Sequence, residues 1–139
     1  MNFDFTDEQN LLRDSLAKWA AGQYDFDKRR ASIASQDGWK KHWASFAELG
    51  LLAAPLPEDF GGLGGGPLDV LVVMEEFGKA LVVEPYVQTV VLGAGALVEA
   101  GSAAQKDEHI AAIAGGERVI AFAQAEPKKI GRASCRERV

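Results

Sequence analysis

The 139-residue chain has very few residues of the kinds that build metal sites or nucleophiles. It contains one cysteine, Cys135, and two histidines, His42 and His109. A single cysteine excludes a disulfide framework within the chain and fits a reducing compartment, so we expect a cytoplasmic protein. His42 follows two lysines and His109 follows an acidic pair, which favours an exposed position for both imidazoles. With so few ligands available, we predict no metal site and no cysteine–histidine nucleophile.

Basic charge and long apolar runs are scarce as well. The formal net charge of -5 argues against a nucleic-acid partner. The apolar runs, such as residues 70–74, reach only five residues, far shorter than the roughly 20 residues that a membrane helix needs. The first five residues are acidic and lack a basic region followed by an apolar one. We therefore expect neither a membrane span nor a signal peptide.

The last ten residues, 130–139, differ in character from the rest of the chain. They show no hydrophobic periodicity and contain three arginines. Their order resembles the translation of a common sequencing-adapter oligonucleotide, so we interpret them as a non-native tail and leave them out of the fold. The alternative is a genuine basic tail.

The hydrophobic pattern of the remaining chain predicts six helices. Two of them open with a capping box, Thr6 with Gln9 and Ser102 with Gln105. The fourth is apolar on most faces, and we expect it to be the central buried helix. Residues 119–123 are short, apolar and partly β-branched, which predicts a strand. The helices are predicted from the Thr6 cap to Gly22, at 26–34, 39–49, 67–81 and 86–100, and from the Ser102 cap to Gly115.

A glycine-rich loop separates the third and fourth helices. Five of the six residues 61–66 are glycine, while Leu56, Phe60 and Leu63 offer apolar side chains to pin the loop down. No strand precedes it and no Gly-Lys-Ser/Thr ending follows, so it fits neither a dinucleotide fingerprint nor a phosphate loop. We interpret it as a tight ordered linker.

Two other features of the sequence bear on function, a pair of glycines and a pair of glutamates. Gly93 and Gly95 interrupt the fifth helix and suggest a close approach by another backbone or a ligand. The adjacent Glu75 and Glu76 cannot face each other on a helix, so they do not form a catalytic dyad. The residues alone thus indicate an acidic helical domain leading into a β domain, with no catalytic constellation.

Residues 47–64, the glycine loop with its N-terminal flank, closely resemble the N-terminal hallmark of acyl-CoA dehydrogenases. Further motifs of that family follow in its order and at its spacings. Among family members, the sequences of residues 82–86 and 60–67 look most like the small subunits of bacterial pimeloyl-CoA-type dehydrogenases. The further motifs are Met74-Glu75-Glu76-Phe77-Gly78, the helix start at Ala100-Gly101-Ser102, the turn at Gly115-Gly116-Glu117, and Phe122-Ala123-Gln124-Ala125-Glu126-Pro127.

The resemblance implies an all-α fold, the orthogonal six-helix N-terminal domain of the family, over residues 1–116. It implies that residues 117–129 begin a middle β domain that is truncated here. The implied activity is the FAD-dependent α,β-dehydrogenation of an acyl-CoA to a trans-2-enoyl-CoA. The family's catalytic glutamate lies beyond residue 127, so no residue of this chain is assigned that role and we expect the chain alone to be inactive. Implied partners are an electron acceptor such as an electron-transfer flavoprotein and another acyl-CoA dehydrogenase subunit, in a homo- or hetero-oligomer.

The resemblance also implies a few site residues. Phe122, Gln124 (through its backbone) and Ala125 align with the segment that contacts the flavin, and Ala125 stands where the family has a threonine whose hydroxyl bonds the flavin ring. Gln88 and Leu92 align with the lining of the acyl tunnel, although core packing is an equal rival for Leu92. Because of Ala125, the alternative is a non-catalytic helical subunit or interaction module that stabilises a partner dehydrogenase. An unrelated helical adaptor is a third possibility.

Overall fold

The computed structural model describes residues 4–123 of the chain. This part forms six α-helices and contains no strand, which confirms the all-α prediction. A 3₁₀ turn, Glu58–Phe60, lies in the loop before the fourth helix, and a π-helix, Val87–Ala94, runs directly into the fifth. The helices are α1 Asp7–Gln23, α2 Phe26–Ala34, α3 Gly38–Glu48, α4 Pro67–Ala80, α5 Gly95–Ala100 and α6 Ala103–Ala114.

Local capping decides where several of these helices begin. The Thr6 hydroxyl accepts from the Gln9 amide at 3.2 Å, and the Gln9 side chain accepts from the Thr6 amide at 3.1 Å. Ser102 and Gln105 repeat this arrangement at the start of α6. Pro67 is the first residue of α4, where its missing amide costs no hydrogen bond. These predicted helix starts are confirmed. They could be predicted because a capping box involves residues only three positions apart.

The core is a chain of aromatic rings that joins α1, α3 and α4. Trp19 contacts Phe46 with ring centroids 5.1 Å apart, Phe46 contacts Phe77 at 4.8 Å, and Phe77 contacts Tyr86 at 5.4 Å. Each of these side chains is almost fully buried. In this arrangement α1 packs against α4 and α2 against α3, while α6 packs against the π-helix and α5.

The fourth helix is buried on one face only. Val72, Val73 and Phe77 face the core, whereas Leu68 and Leu71 are 56% and 51% exposed. The expectation that α4 is the central buried helix is therefore correct for this inner face alone. The inner face of α4 packs against α1 and, through Phe77, against Phe46 of α3.

The strand predicted at residues 119–123 is not found. A strand needs the backbone hydrogen bonds of a neighbouring strand, and residues 4–123 supply no such partner. The segment instead passes over the π-helix, where the Thr89 hydroxyl donates to the Ile120 carbonyl at 2.9 Å.

The glycine loop is an ordered linker, as its composition indicates. The two ends of the loop are joined by backbone hydrogen bonds. The amides of residues 63, 64 and 65 donate to the carbonyls of Ala53, Leu56 and Ala54, respectively, at 2.8–2.9 Å. Leu56 is 2% exposed and anchors the loop in the core, and Phe60 packs against that core. Leu63 is 63% exposed and does not help to pin it.

Candidate functional site

The predicted acyl-lining residues lie on the outer face of the π-helix. Gln88 is exposed, and Leu92, one turn further on, is 46% exposed. The residues that follow each of them, Thr89 and Gly93, point inward and are buried. Leu92 therefore does not pack in the core of residues 4–123, and its aliphatic side chain is left available for another contact.

Gln88 borders a groove of about 370 Å³ between α4 and the start of the π-helix, which we call the Gln88 groove. Its walls are mostly apolar, and its polar side chains are at Arg29, Glu84 and Gln88. Leu92 is outside this lining. A mostly apolar groove with few polar groups suits a hydrocarbon chain, and its lining offers no serine, cysteine or lysine nucleophile. The other lining side chains are the aromatic Tyr86, whose hydroxyl donates to the Leu51 carbonyl, and the apolar Met74, Phe77, Leu81, Val82, Val83 and Val87.

A buried hydrogen-bonded pair fixes the turn that leads into the π-helix. The Tyr24 hydroxyl donates to Oε2 of Glu84 at 2.7 Å, and the Val83 amide donates to the same oxygen at 3.2 Å. Burial, together with the bond to the Glu84 carboxylate, raises the pKa of Tyr24 to about 12. Tyr24 thus stays a neutral donor at physiological pH and holds the residues immediately before Gln88.

The structure corrects the expectation that both histidines are exposed. His42 is 4% exposed, with its ring 5.9 Å from that of Trp19 and 4.7 Å from that of Tyr24. It lies four residues before Phe46 and so shares the core-facing side of α3. Burial lowers its pKa, since the charged imidazolium would lose its hydration. His109 is partly exposed.

The predicted flavin-side residues are only partly within the described region. Phe122 is 50% exposed and borders a separate groove of about 400 Å³, the Phe122 groove. Small residues of α5 and its surroundings form much of its wall, including Gly93, Ala96 and Gly101. Gln124 and Ala125 lie outside the described residues. The two grooves share no lining residue, so the structure does not bring Phe122 and Gln88 into one cavity.

Thr89 and Gly93 connect the two regions, and the sequence pattern did not identify this role. Thr89 is fully buried and bonds to Ile120, and a Cβ on Gly93 would stand 2.6 Å from Cγ1 of Ile120. The close approach suggested for Gly93 is thus made by a side chain, and Gly95 has no atom within 4 Å of the corresponding position. The one sequence signal was the glycine in mid-helix, with the threonine four residues before it.

The acidic pair on α4 is divided between core and surface. Glu76 is 7% exposed and bonds to Lys79 at 2.6 Å, while Glu75 is partly exposed and pairs with Lys79 and Arg13. The Lys79 ammonium group holds the pKa of Glu75 below its usual value. Arg13 also lies 3.9 Å from Glu76, so both carboxylates are ion-pair partners of the same two cations. Among residues 4–123, no three side chains of the metal-ligating types come together, and no helix there has the length and apolar character to cross a membrane.

The fold and these surfaces define a helical domain with exposed apolar grooves. The chain matches the family model described as "Acyl-CoA dehydrogenase, N-terminal domain" over residues 6–117. It therefore belongs to the acyl-CoA dehydrogenase family, and the resemblance inferred from the glycine loop is confirmed.

Individual relatives agree with this assignment. The probable acyl-CoA dehydrogenase YngJ of Bacillus subtilis is 32% identical over 131 residues, which cover 91% of this chain and 34% of the relative. A chain of the ChsE4-ChsE5 complex from Mycobacterium tuberculosis is 26% identical, with a TM-score of 0.69 over 84% of this chain and 30% of its own. An acyl-CoA dehydrogenase from Bacillus anthracis, solved with FAD, shares the fold at 24% identity, with a TM-score of 0.79 over 91% of this chain and 22% of its own. The chain spans about a third of the length of the curated relatives it matches.

Proposed function

We propose that this chain is the N-terminal part of an FAD-dependent acyl-CoA dehydrogenase, which converts an acyl-CoA to a trans-2-enoyl-CoA. The family match over residues 6–117 carries the proposal. The exposed outer face of the π-helix supports it, because Gln88 and Leu92 are left free of the core. In this proposal residues 1–116 are the helical domain and residues 117–129 begin the middle β domain.

The helical domain contributes binding and exclusion of water. The acyl chain would lie along the outer face of the π-helix, with Leu92 against its methylene groups and Gln88 at the mouth of the Gln88 groove. The Tyr24–Glu84 pair holds the turn before Gln88 and so fixes where this wall begins. None of the described residues is proposed to move the substrate protons. The family's glutamate, which lies beyond residue 127 in its members, would take the α-proton.

The residues near Phe122 fit one edge of a flavin. Its ring is half-exposed, and the groove beside it is walled by small side chains that leave room for a flat aromatic group. When bound, FAD supplies the acceptor for the hydrogen that leaves the β-carbon. Phe122, with Gln124 and Ala125, would lie on the flavin side, and the remaining contacts would come from residues beyond this chain.

The proposal extends to partners and compartment. We propose a cytoplasmic enzyme that passes its electrons to an acceptor such as an electron-transfer flavoprotein. We also propose assembly with a second acyl-CoA dehydrogenase subunit, either identical or different. The structural likeness to a chain of a two-component complex supports the oligomeric part of this proposal.

The test compares the 139-residue chain with a longer protein in which the natural sequence continues after residue 129 over the length of its relatives. The longer protein is expected to retain FAD on purification and to oxidise an acyl-CoA, while the 139-residue chain is expected to be inactive. Substituting Leu92→Ala should raise the KM for the preferred acyl-CoA about tenfold, the effect of losing an apolar contact in a pocket. Leu11→Ala is the matched control, because Leu11 is an exposed leucine on α1 and should leave the KM unchanged. A longer protein with neither flavin nor activity would refute the enzyme proposal.

Ala125 favours a second candidate, a non-catalytic subunit that stabilises a partner dehydrogenase. The missing threonine hydroxyl removes one hydrogen bond to the flavin, worth about 0.5–1.5 kcal/mol. Ala125→Thr in the longer protein should tighten FAD binding by up to about tenfold if the flavin lies there. Unchanged FAD binding in that variant, with stabilisation of a partner dehydrogenase by the unmodified protein, would favour the non-catalytic role.

A further inference from the structure

The π-helix has two adjacent faces, one exposed and one packed against Ile120. Gln88 and Leu92 face outward, and Thr89 and Gly93 face inward against Ile120. We propose that Thr89 and Gly93 are positioning residues, which hold the segment leading to Phe122 against the helix that carries Gln88 and Leu92. This proposal rests on the proposed function for the roles of those outward-facing residues and of Phe122.

The hydrogen bond of Thr89 is directed across the fold. A threonine within a helix commonly bonds to a carbonyl of its own preceding turn. The Thr89 hydroxyl instead donates to the Ile120 carbonyl at 2.9 Å, across 31 positions of sequence. Thr89 is fully buried, so its hydroxyl is shielded from water. The bonded carbonyl lies two residues before Phe122, which fixes the backbone at the approach to that ring.

Gly93 complements this bond by shape. A Cβ at this position would lie 2.6 Å from Cγ1 and 2.8 Å from Cδ1 of Ile120, closer than such atoms approach in proteins. Ile120 is partly buried and packs against the core over this glycine. One inward-facing position thus bonds the Ile120 backbone and the next, a turn later, receives its side chain.

The outward and inward faces belong to the same turns of the π-helix. Residues 87–94 form a π-helix, a rare conformation that is frequent at functional sites. Within it, the outward pair 88 and 92 and the inward pair 89 and 93 are each about one turn apart. A shift of the segment at Ile120 would therefore be felt by the same turns that carry Gln88 and Leu92.

The first measurement uses the 139-residue chain and needs no ligand. Chymotrypsin cleavage after the half-exposed Phe122 is timed under native conditions and located by mass spectrometry. Thr89→Val, which keeps the shape and removes the hydroxyl, should speed this cleavage about threefold to tenfold, and Thr89→Ser should restore the original rate. Gly93→Ala should speed it as well, by displacing Ile120. Cleavage after Phe26, an exposed residue at the start of α2, is the internal control and should not change. Unchanged cleavage after Phe122 in both Thr89→Val and Gly93→Ala would overturn the proposal.

The second measurement asks whether the contact acts on the site. In the longer protein, Thr89→Val should weaken FAD binding and shift the flavin absorbance bands, with Thr89→Ser again close to the original. Faster cleavage combined with unaltered FAD affinity and spectrum would show a purely structural contact and overturn the positioning role. If the unmodified longer protein binds neither FAD nor acyl-CoA, the proposed function fails, and the positioning role toward those ligands fails with it. The cleavage results would still show separately whether the contact holds the segment.

Discussion

Alanine substitutions at three glycines distinguish two destabilising effects in this domain. One is a steric clash with backbone atoms, and the other is an unfavourable backbone conformation. At Gly62 an added Cβ would stand 2.0 Å from the carbonyl oxygen and 2.2 Å from the carbonyl carbon of Leu56. Both are backbone atoms, so no side-chain rotation relieves the clash. At Gly78, within α4, an added Cβ meets no atom within 4 Å. At Gly61 the surroundings are equally open, but φ is +85°, a conformation that side chains disfavour.

The expected cost of Gly62→Ala follows from these distances. To reach even 3.0 Å from the new Cβ, the Leu56 oxygen must retreat by about 1.0 Å, the difference between 3.0 and 2.0 Å. That oxygen accepts from the Gly64 amide at 2.8 Å, so the movement breaks a bond that closes the loop. Overpacking of about 1–3 kcal/mol and one lost bond of about 0.5–1.5 kcal/mol give a loss of about 3 kcal/mol in the free energy of unfolding.

The other two substitutions set the scale. Gly61→Ala should cost about 1–2 kcal/mol, the price of a left-handed conformation for a residue with a Cβ. Gly78→Ala should stabilise the protein by about 0.5–1 kcal/mol, because alanine favours the helix more than glycine does. The same chemical change is therefore expected to have opposite signs at two positions of one chain.

Urea unfolding followed by tryptophan fluorescence measures all three variants. Trp19 and Trp43 are 6% and 2% exposed, so their emission reports the loss of the core. At a urea m-value of about 1.5 kcal/mol/M, Gly62→Ala should lower the midpoint by about 2 M. A Gly62→Ala midpoint equal to that of the unmodified protein would refute the packing argument. A destabilising Gly78→Ala would refute the comparison.

Further predictions concern titration of buried side chains. Tyr24 and Tyr86 are the two tyrosines of the chain, and burial raises the pKa of both, so the folded protein should show little tyrosinate absorbance at about pH 10.5, whereas the urea-unfolded protein should be mostly ionised. The stability that this raised pKa contributes is complete below about pH 10 and is lost as the pH rises towards the pKa of Tyr24, about 12. Tyrosinate absorbance at about pH 10.5 with the fold intact would contradict the burial of these hydroxyls. For His42, whose pKa is lowered by burial, the contribution is complete above about pH 6.5 and is lost as the pH falls below that value, since the unfolded chain takes up the proton first. Urea midpoints at about pH 7.5 and 5.5 should therefore differ less for His42→Gln than for the unmodified protein, and an equal difference would show that His42 does not titrate in this way.

The helix boundaries and the ordered loop could be predicted from the sequence because their causes are local. Thr6 forms its capping box with Gln9, three residues away. Pro67 has a fixed backbone angle that suits the first position of a helix regardless of the tertiary structure. The glycine loop is also a local matter, since five glycines within residues 61–66 disfavour an α-helix or a strand there. The same stretch carried the family resemblance that the comparisons confirm.

The site depends on distant partners, which a linear pattern does not contain. His42 is buried because Trp19 and Tyr24 arrive from α1 and its end, and the pairing of Tyr24 with Glu84 spans 60 positions. Leu71 on α4 and Leu92 on the outer face of the π-helix are 51% and 46% exposed, and their apolar character alone did not predict this exposure.

By itself, the sequence of this protein determined its helices, its glycine linker and its family. Only the tertiary structure decided that the predicted strand at residues 119–123 lies on the π-helix, with Ile120 bonded to Thr89 and seated over Gly93. The physical reason is the range of the interactions. Helix caps and turns depend on residues a few positions apart. Burial and long-range hydrogen bonds depend on which distant element packs against a residue in the fold.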